Sequence, residues 1–490
     1  MSEENKTRAR RAGEITSPDD LDLIEEICAP DLVWHEPDQD VRGIEEGKRY
    51  VSDTPASPPL DTLAQTLADG TISRKQALKL MGAGAATVAS LALAGCGGKD
   101  QAKEGASGSG EPSGGSTSNT TVGQNGSTPK QGSAAEEVAA AAKRAMEKYH
   151  LKAVLVRVTK GTEEVATLVM GESMTGVPAT VGMHFRNGAV AISYLGTVLL
   201  QLVDEGTVGL DDTIDEWLPK ALASEKVTLR MLANCTSGYP DYVAVKSFVD
   251  ALYKDPFRAW TTEDQLGYVA DQPLLYEPGT NWSYAHTNFV ILGEALSAIT
   301  DKPVDELIRE RIVEPLGMRG TQSHQTAEIP EPVLHAYTKE RGTYEESTFC
   351  NPSWTLAKGS VMITDIYDLA TSARAIGKGE LVSEKSHKEQ VGPSLVGLGG
   401  PTKKCPENVC VKQTSSFHYG ICTWASVGGW IVQNPSFYGW GALQAYLPEE
   451  DLAIAASATL EKEAKVGLNG GQMVFEEIAA VLAPGHPPEP

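Results

Sequence analysis

The chain has 490 residues, enough for two or three domains. Its 41% hydrophobic and 22% charged residues are the balance of a globular protein that can bury a large core. A formal net charge of −23 argues against nucleic acid, which is held by cationic side chains on phosphates, and against adhesion to anionic lipid through a basic face. The seven cysteines form no Cys-x-x-Cys pair, and the nine histidines show no His-x-His or His-Glu-x-x-His spacing. No metal site and no cofactor are therefore expected.

Residues 1–60 come first. Within them, 19–51 resemble the opening of SnoaL-type polyketide-cyclase-like cone folds: a helix, Ala29-Pro30-Asp31, a strand with Trp34-His35-Glu36-Pro37, then Arg42-Gly43 and another helix. Only about a third of such a domain is present. A piece that small buries too little to stand alone, so it reads as a truncated fragment, with His35 and Glu36 as inert remnants.

Residues 61–96 read as an export signal. Arg74, Lys75 and Lys79 precede an apolar run from Leu80 to Gly95 that is too short and too rich in Ala and Gly for a membrane span. Ser73-Arg74-Lys75-Gln76-Ala77-Leu78 resembles a twin-arginine motif with Lys for the second Arg. Leu93-Ala94-Gly95-Cys96 resembles a lipobox, which implies lipid attachment at Cys96 and a membrane-anchored, extracytoplasmic protein. A buried Ala-rich helix is the competing reading. Residues 97–133 are rich in Gly, Ser, Thr and Asn, with too little apolar content to offset chain entropy, and read as a disordered tether.

Residues 134–485 form the main domain, ahead of a short tail at 486–490. An amphipathic helix is expected over 135–149, then a hairpin of strands at 154–159 and 165–170 around Lys160-Gly161-Thr162. A long helical stretch follows. Strands are expected at 430–432, 442–447 and 452–458, and a closing helix at 473–482. Strands at both ends with helices between predict an α/β (α+β) fold: one antiparallel sheet built from both ends of the domain, flanked by helices, with an inserted helical region. Cys405-Pro406-Glu407-Asn408-Val409-Cys410 invites a short-loop disulfide in an oxidising compartment.

Several stretches of this domain resemble the serine β-lactamase, DD-peptidase and esterase family, the penicillin-binding-protein fold. Phe185, Arg186 and Gly188 fit its F-R-x-G-S-x-x-K, and Leu210-Asp211-Asp212 fits the turn that follows the apolar helix. Val227 to Leu232 with Thr236-Ser237-Gly238 resembles I-T-(I/L)-R-x-L-L-x-H-T-S-G, with Asn234-Cys235 in place of x-His. Tyr276 to Thr280 with Trp282-Ser283-Tyr284, Glu314 to Met318 with Thr321, and Gly359-Ser360 to Leu369 match three further motifs in the family's order.

The resemblance implies an acyl-transfer site with a nucleophilic Ser, a Lys one helical turn on, a Tyr acting as base and acid, an Asn that orients the acyl chain, and a Lys/His-(Thr/Ser)-Gly strand lining an oxyanion hole. In this chain the Ser position holds Ala189 and the Lys position Ile192. Tyr284 is retained. The Asn becomes His286. The third element falls on Gln433-Asn434-Pro435, within a residue or two, and a proline there has no N–H to donate.

A methyl group cannot attack a carbonyl, and an aliphatic side chain cannot take a proton. The implied protein is a pseudoenzyme whose cleft binds a small-molecule, peptide or glycan ligand, with Gln433, Asn434 and Tyr438 as binding residues. The alternative is a hydrolase that uses water or another nucleophile with Tyr284 and His286. Ser193, four residues after Ala189, is the one substitute on the same helix face; a core hydroxyl bonded back to its helix is the other reading of it. The Ser127-x-x-Lys130 match falls in the tether and reads as chance. Trp430, Phe437, Tyr438 and Trp440 floor a ligand groove or simply pack the sheet.

Overall fold

The computed structural model describes residues 133–324 and 326–488, together with the backbone of Val33, Trp34, Val41 and Arg42. The chain divides into two units, 1–114 and 115–490. In the first, Val33–Trp34 pairs antiparallel with Val41–Arg42, Val33 opposite Arg42. His35, Glu36, the lipobox Cys96 and residues 97–132 of the tether lie outside the described residues.

The second unit opens with α1 (Ala134–Tyr149). Its boundaries have chemical causes. The Ser133 side chain accepts from the Glu136 N–H, Glu136 and Glu137 complement the positive helix start, and His150 ends the helix in the left-handed conformation. Val138, Ala141, Ala142 and Ala145 recur at helical spacing and form its buried face.

Next come β1 (Leu151–Lys160) and β2 (Glu163–Met174), the expected hairpin. Among the helices that follow are α2 (Val190–Asp204) and α3 (His286–Thr300), whose N-terminal ends reach the site, and α4 (Ile366–Lys378). The chain then returns to the sheet with β3 (Phe417–Tyr419), β4 (Trp424–Val427), β5 (Trp430–Gln433), β6 (Trp440–Leu447) and β7 (Leu452–Leu460). It closes with α5 (Gly470–Leu482).

These strands form one antiparallel sheet in the order β3-β4-β5-β6-β7-β1-β2, with short strands paired beside β2 and β6. The last long strand meets the first, Leu452 opposite Lys160. The fold class read from the sequence is the one observed. Both faces of the central strands are covered, and β7, LAIAASATL, is buried along its whole length, with only the hydroxyls of Ser457 and Thr459 interrupting the apolar run. Val154, Val156, Val158, Leu443, Ile454 and Ala456 pack under α1 and α5. Ala153, Leu155, Ala442 and Ala455 face the larger core that contains α2. That helix is apolar on nearly every side, as a helix at the centre of a domain should be. Cys405 and Cys410 are joined by a disulfide, while Cys235, Cys350 and Cys422 are free and buried.

Candidate functional site

The start of α2 is fixed from both sides. Phe185–Arg186 pairs with the strand Met362–Thr364. Asn187 locks to the same strand, its N–H donating to Met362 O at 2.9 Å and its Oδ1 accepting from Met362 N–H at 2.9 Å. Gly188 then turns with φ +52°, and a Cβ there would lie 2.9 Å from Cβ of Pro435. Only glycine suits that backbone and that approach. The same contact sets the third motif beside the helix start. Gln433 pairs with Gln444 and Ser436 with Gly441, so the strand keeps its register across Asn434 and Pro435. The interruption falls where proline has no N–H to give.

Ala189, half-buried, presents a methyl group to a cleft of about 800 Å³. Tyr284, His286, Gln433, Asn434 and Pro435 line the same cleft. Chain segments some 250 residues apart are thus gathered at one place. Ile192 is fully buried in the apolar core and does not reach the cleft.

Ser193 does not stand in for the missing nucleophile. It is fully buried, with its Oγ donating to Val190 O at 2.6 Å. Gln444 Nε2 donates to that Oγ at 3.1 Å, Ser372 Oγ donates to Gln444 Oε1 at 2.5 Å, and Tyr194 Oη donates to Ser372 at 3.1 Å. Every member of this buried chain is satisfied, which makes Ser193 a core hydroxyl. Burial pushes the Tyr194 phenol up to about 12, so the chain stays neutral.

Tyr284 is half-buried beside the cleft. Its phenol is pushed well above the usual tyrosine value, by burial first, with the nearby Asp241 carboxylate adding to it. At neutral pH it is a hydrogen-bond donor rather than a base. The lysine position that would have favoured its anion is Ile192.

His286 opens α3, and its ring meets that of Tyr284 edge-on at 5.2 Å. Asp241 Oδ2 lies 3.0 Å from His286 Nδ1, and Asp241 Oδ1 accepts from the His286 backbone N–H at 3.1 Å. In the tautomer that donates Nδ1–H to the carboxylate, Nε2 carries the ring's lone pair. The sequence marks Asp241 only by its place just after Thr236-Ser237-Gly238-Tyr239-Pro240.

Of the three binding residues expected, two line the cleft. Gln433 donates through Nε2 to Cys422 O at 2.8 Å, and Asn434 through Nδ2 to Gln472 Oε1 at 2.9 Å. Tyr438 does not. It is 3% exposed with φ +42°, packs edge-on against Trp354 at 5.7 Å, and lies outside the lining. Of the four aromatics expected near this motif only Phe437 faces the cleft. Trp430 packs on Phe475 at 5.1 Å, and Trp440 donates to Leu334 O at 2.9 Å. Trp354, Phe417 and Trp424 line the cleft instead, brought there from loops and strands that no local motif marks. Among the described residues no group of three or more His, Cys, Asp or Glu side chains is placed to hold a metal.

A family model described as Beta-lactamase matches residues 138–472. The chain belongs to this family. Among curated relatives it is 30% identical to penicillin-binding protein 4 of Amycolatopsis lactamdurans over 206 residues, 39% of this chain and 50% of that one. It is 29% identical to D-aminopeptidase of Brucella anthropi over 167 residues, 34% of this chain and 31% of that one. The chain thus spans about half or less of the length of these relatives. Among solved structures, the D-stereospecific amidohydrolase from a Streptomyces species superposes with a TM-score of 0.58 at 24% identity, covering 70% of this chain and 98% of that one. That likeness shows the fold.

Proposed function

We propose that this β-lactamase-family domain is an exported, ligand-binding pseudoenzyme of the cell envelope, tethered through a lipid on Cys96, whose cleft holds a small-molecule, peptide or glycan ligand without forming an acyl-enzyme. One observation carries the reading: at the cleft floor stands the methyl group of Ala189, with Ile192 sunk in the core behind it. A covalent route needs an activated nucleophile and a group to take its proton, and neither side chain supplies one. Relatives named penicillin-binding protein, and D-alanyl-D-alanine-carboxypeptidase/endopeptidase AmpH of Escherichia coli, support a place outside the cytoplasm. The test is intact-mass analysis of the full chain after incubation with a penicillin and, separately, with a fluorophosphonate. The reading expects no adduct with either. A stoichiometric adduct on a cleft residue would overturn it.

A second reading is favoured by Asp241. A histidine whose Nδ1–H is held by a carboxylate can draw a proton from water through Nε2, with the neutral Tyr284 phenol as donor to the leaving group. The domain would then be a slow hydrolase that needs no nucleophilic side chain. Hydrolysis of a p-nitrophenyl ester that disappears in His286→Ala and falls sharply in Asp241→Asn would establish it. A rate unchanged by both substitutions would dismiss it.

A further inference from the structure

The cleft carries a charge pattern that its missing nucleophile does not explain. Its lining contains no Lys and no Arg among the described residues. Gln433 stands where the family resemblance places a cationic or polar rim, and its amide is already committed to Cys422 O. Among the described residues of the lining the one basic side chain is His286, and it is paired with Asp241. The lining carboxylate, Glu476, has no such partner. It is half-buried and makes no ion pair among the described residues. Its one hydrogen bond there comes from Gln472 Nε2 at 2.9 Å, and Gln472 Oε1 in turn accepts from Asn434 at 2.9 Å. This relay fixes one carboxylate oxygen and leaves Oε2 for a ligand.

The walls are aromatic. Trp354 and Phe437 stack at 5.5 Å, Phe417 and Trp424 at 4.6 Å, and all four line the cleft. Aromatic faces attract cations as well as flat apolar groups. A carboxylate entering this space would meet Glu476, no fixed cation, and a chain of net charge −23.

We propose that the cleft is a site for an organic cation bearing a flat apolar group, with the cationic head on Glu476 and the flat group against the rings of Trp354, Phe437, Phe417 and Trp424. This rests on the reading of the cleft as a non-acylating binding site, and it sets that site apart from one built for carboxylates.

The test uses a matched series on the full chain at pH 7.5: 2-phenylethylammonium, phenylacetamide and phenylacetate, with dissociation constants from ligand-observed NMR. The expected order is ammonium tightest and phenylacetate weakest, with ammonium ahead of the amide by about fivefold, the scale of a partly exposed ion pair. Glu476→Gln should weaken the ammonium more than the amide and so remove the ammonium's advantage. Phe417→Leu should weaken the ammonium and the amide alike. Phenylacetate binding as tightly as the ammonium, an ammonium advantage that survives Glu476→Gln, or no binding of the series to the folded chain would each overturn the proposal. These outcomes are separate from the adduct test: a covalent adduct would remove the pseudoenzyme reading, whereas a wrong charge order would remove only the ligand class.

Discussion

Placing a lysine at position 192 tests whether the site of the family's second catalytic residue has been rebuilt as hydrophobic core. Ile192 is fully buried, in the first turn of α2, inside the main apolar cluster. A lysine buried without a carboxylate partner has its pKa lowered by about 3–5 units, because the low-polarity interior disfavours the ammonium. Taking about 6 in the native state against about 10.4 in the unfolded chain, the native protein must hold a neutral amine where the unfolded one holds an ammonium. At pH 7.5 that mismatch destabilises the fold by about 4 kcal/mol. The unfolded state binds the extra proton, so stability must rise with pH, and by pH 9.5 the penalty should shrink to about 1 kcal/mol. Urea unfolding of Ile192→Lys and of the parent chain, followed by tryptophan fluorescence at both pH values, measures this directly. A loss under about 1 kcal/mol at pH 7.5, with no dependence on pH, would contradict a fully apolar seat at this position. It would mean that the position still offers a polar seat for an ammonium group.

Other perturbations have outcomes that can be stated in advance. Ala189→Ser alone should give no fluorophosphonate adduct in intact-mass analysis, because Ile192 cannot take the serine's proton and the Tyr284 phenol is held neutral. Gly188→Ala should lower stability by at least about 1–2 kcal/mol in chemical denaturation, the penalty of a left-handed residue bearing a Cβ, with the contact to Pro435 added. Reducing the Cys405–Cys410 disulfide, which closes a short loop, should lower stability by about 2 kcal/mol in the same assay. Asp368 is pushed up to about 6, by burial first and then by Asp365, so the native state keeps a proton that the unfolded state has released. Stability must therefore fall as pH rises from about 4 to about 6, and Asp368→Asn should gain melting temperature over the parent at pH 7.5 more than at pH 4.5; equal differences at the two values would remove the argument.

The fold was legible because the residues that specify it obey local rules. The helical spacing in 135–149, the β1–β2 hairpin and the apolar runs near the C-terminus all appear within a residue or a few of their observed bounds. The floor of the cleft was legible for a related reason. Gly188 and Tyr284 sit in motifs whose spacing survives, and those motifs carry Ala189 and His286 to one place. The cleft walls were not legible. Trp354, Phe417 and Trp424 come from segments with no pattern of their own, while Tyr438 and Trp440, near the motif in sequence, turn into the core. Short-range pattern tells which residues share an element. It does not tell which side of a β-hairpin faces a ligand, and a positive φ at Tyr438 is enough to turn a ring away.

Asp241 shows why the loss of two catalytic side chains leaves an ordered site. Its two oxygens hold both the backbone N–H and the ring of His286, and Oδ1 also accepts from Val243 N–H, ending the Pro240 turn. Ser237 Oγ donates to Asn288 Oδ1 at 2.5 Å, and Thr287 Oγ1 donates to Pro240 O at 2.7 Å, tying the same two segments together. These bonds serve the junction between the Thr236-Ser237-Gly238 loop and α3 whether or not an acyl group ever forms. Selection for a stable junction is then enough to keep Tyr284 and His286 at the cleft, and their persistence is not by itself a sign of turnover. The measurement that separates the two is a substitution that spares the junction. His286→Asn retains a side chain able to donate to Asp241 but has no basic nitrogen. If the cleft only binds, this variant should keep both stability and ligand affinity. If His286 works as a base, the variant should stay folded and lose hydrolysis.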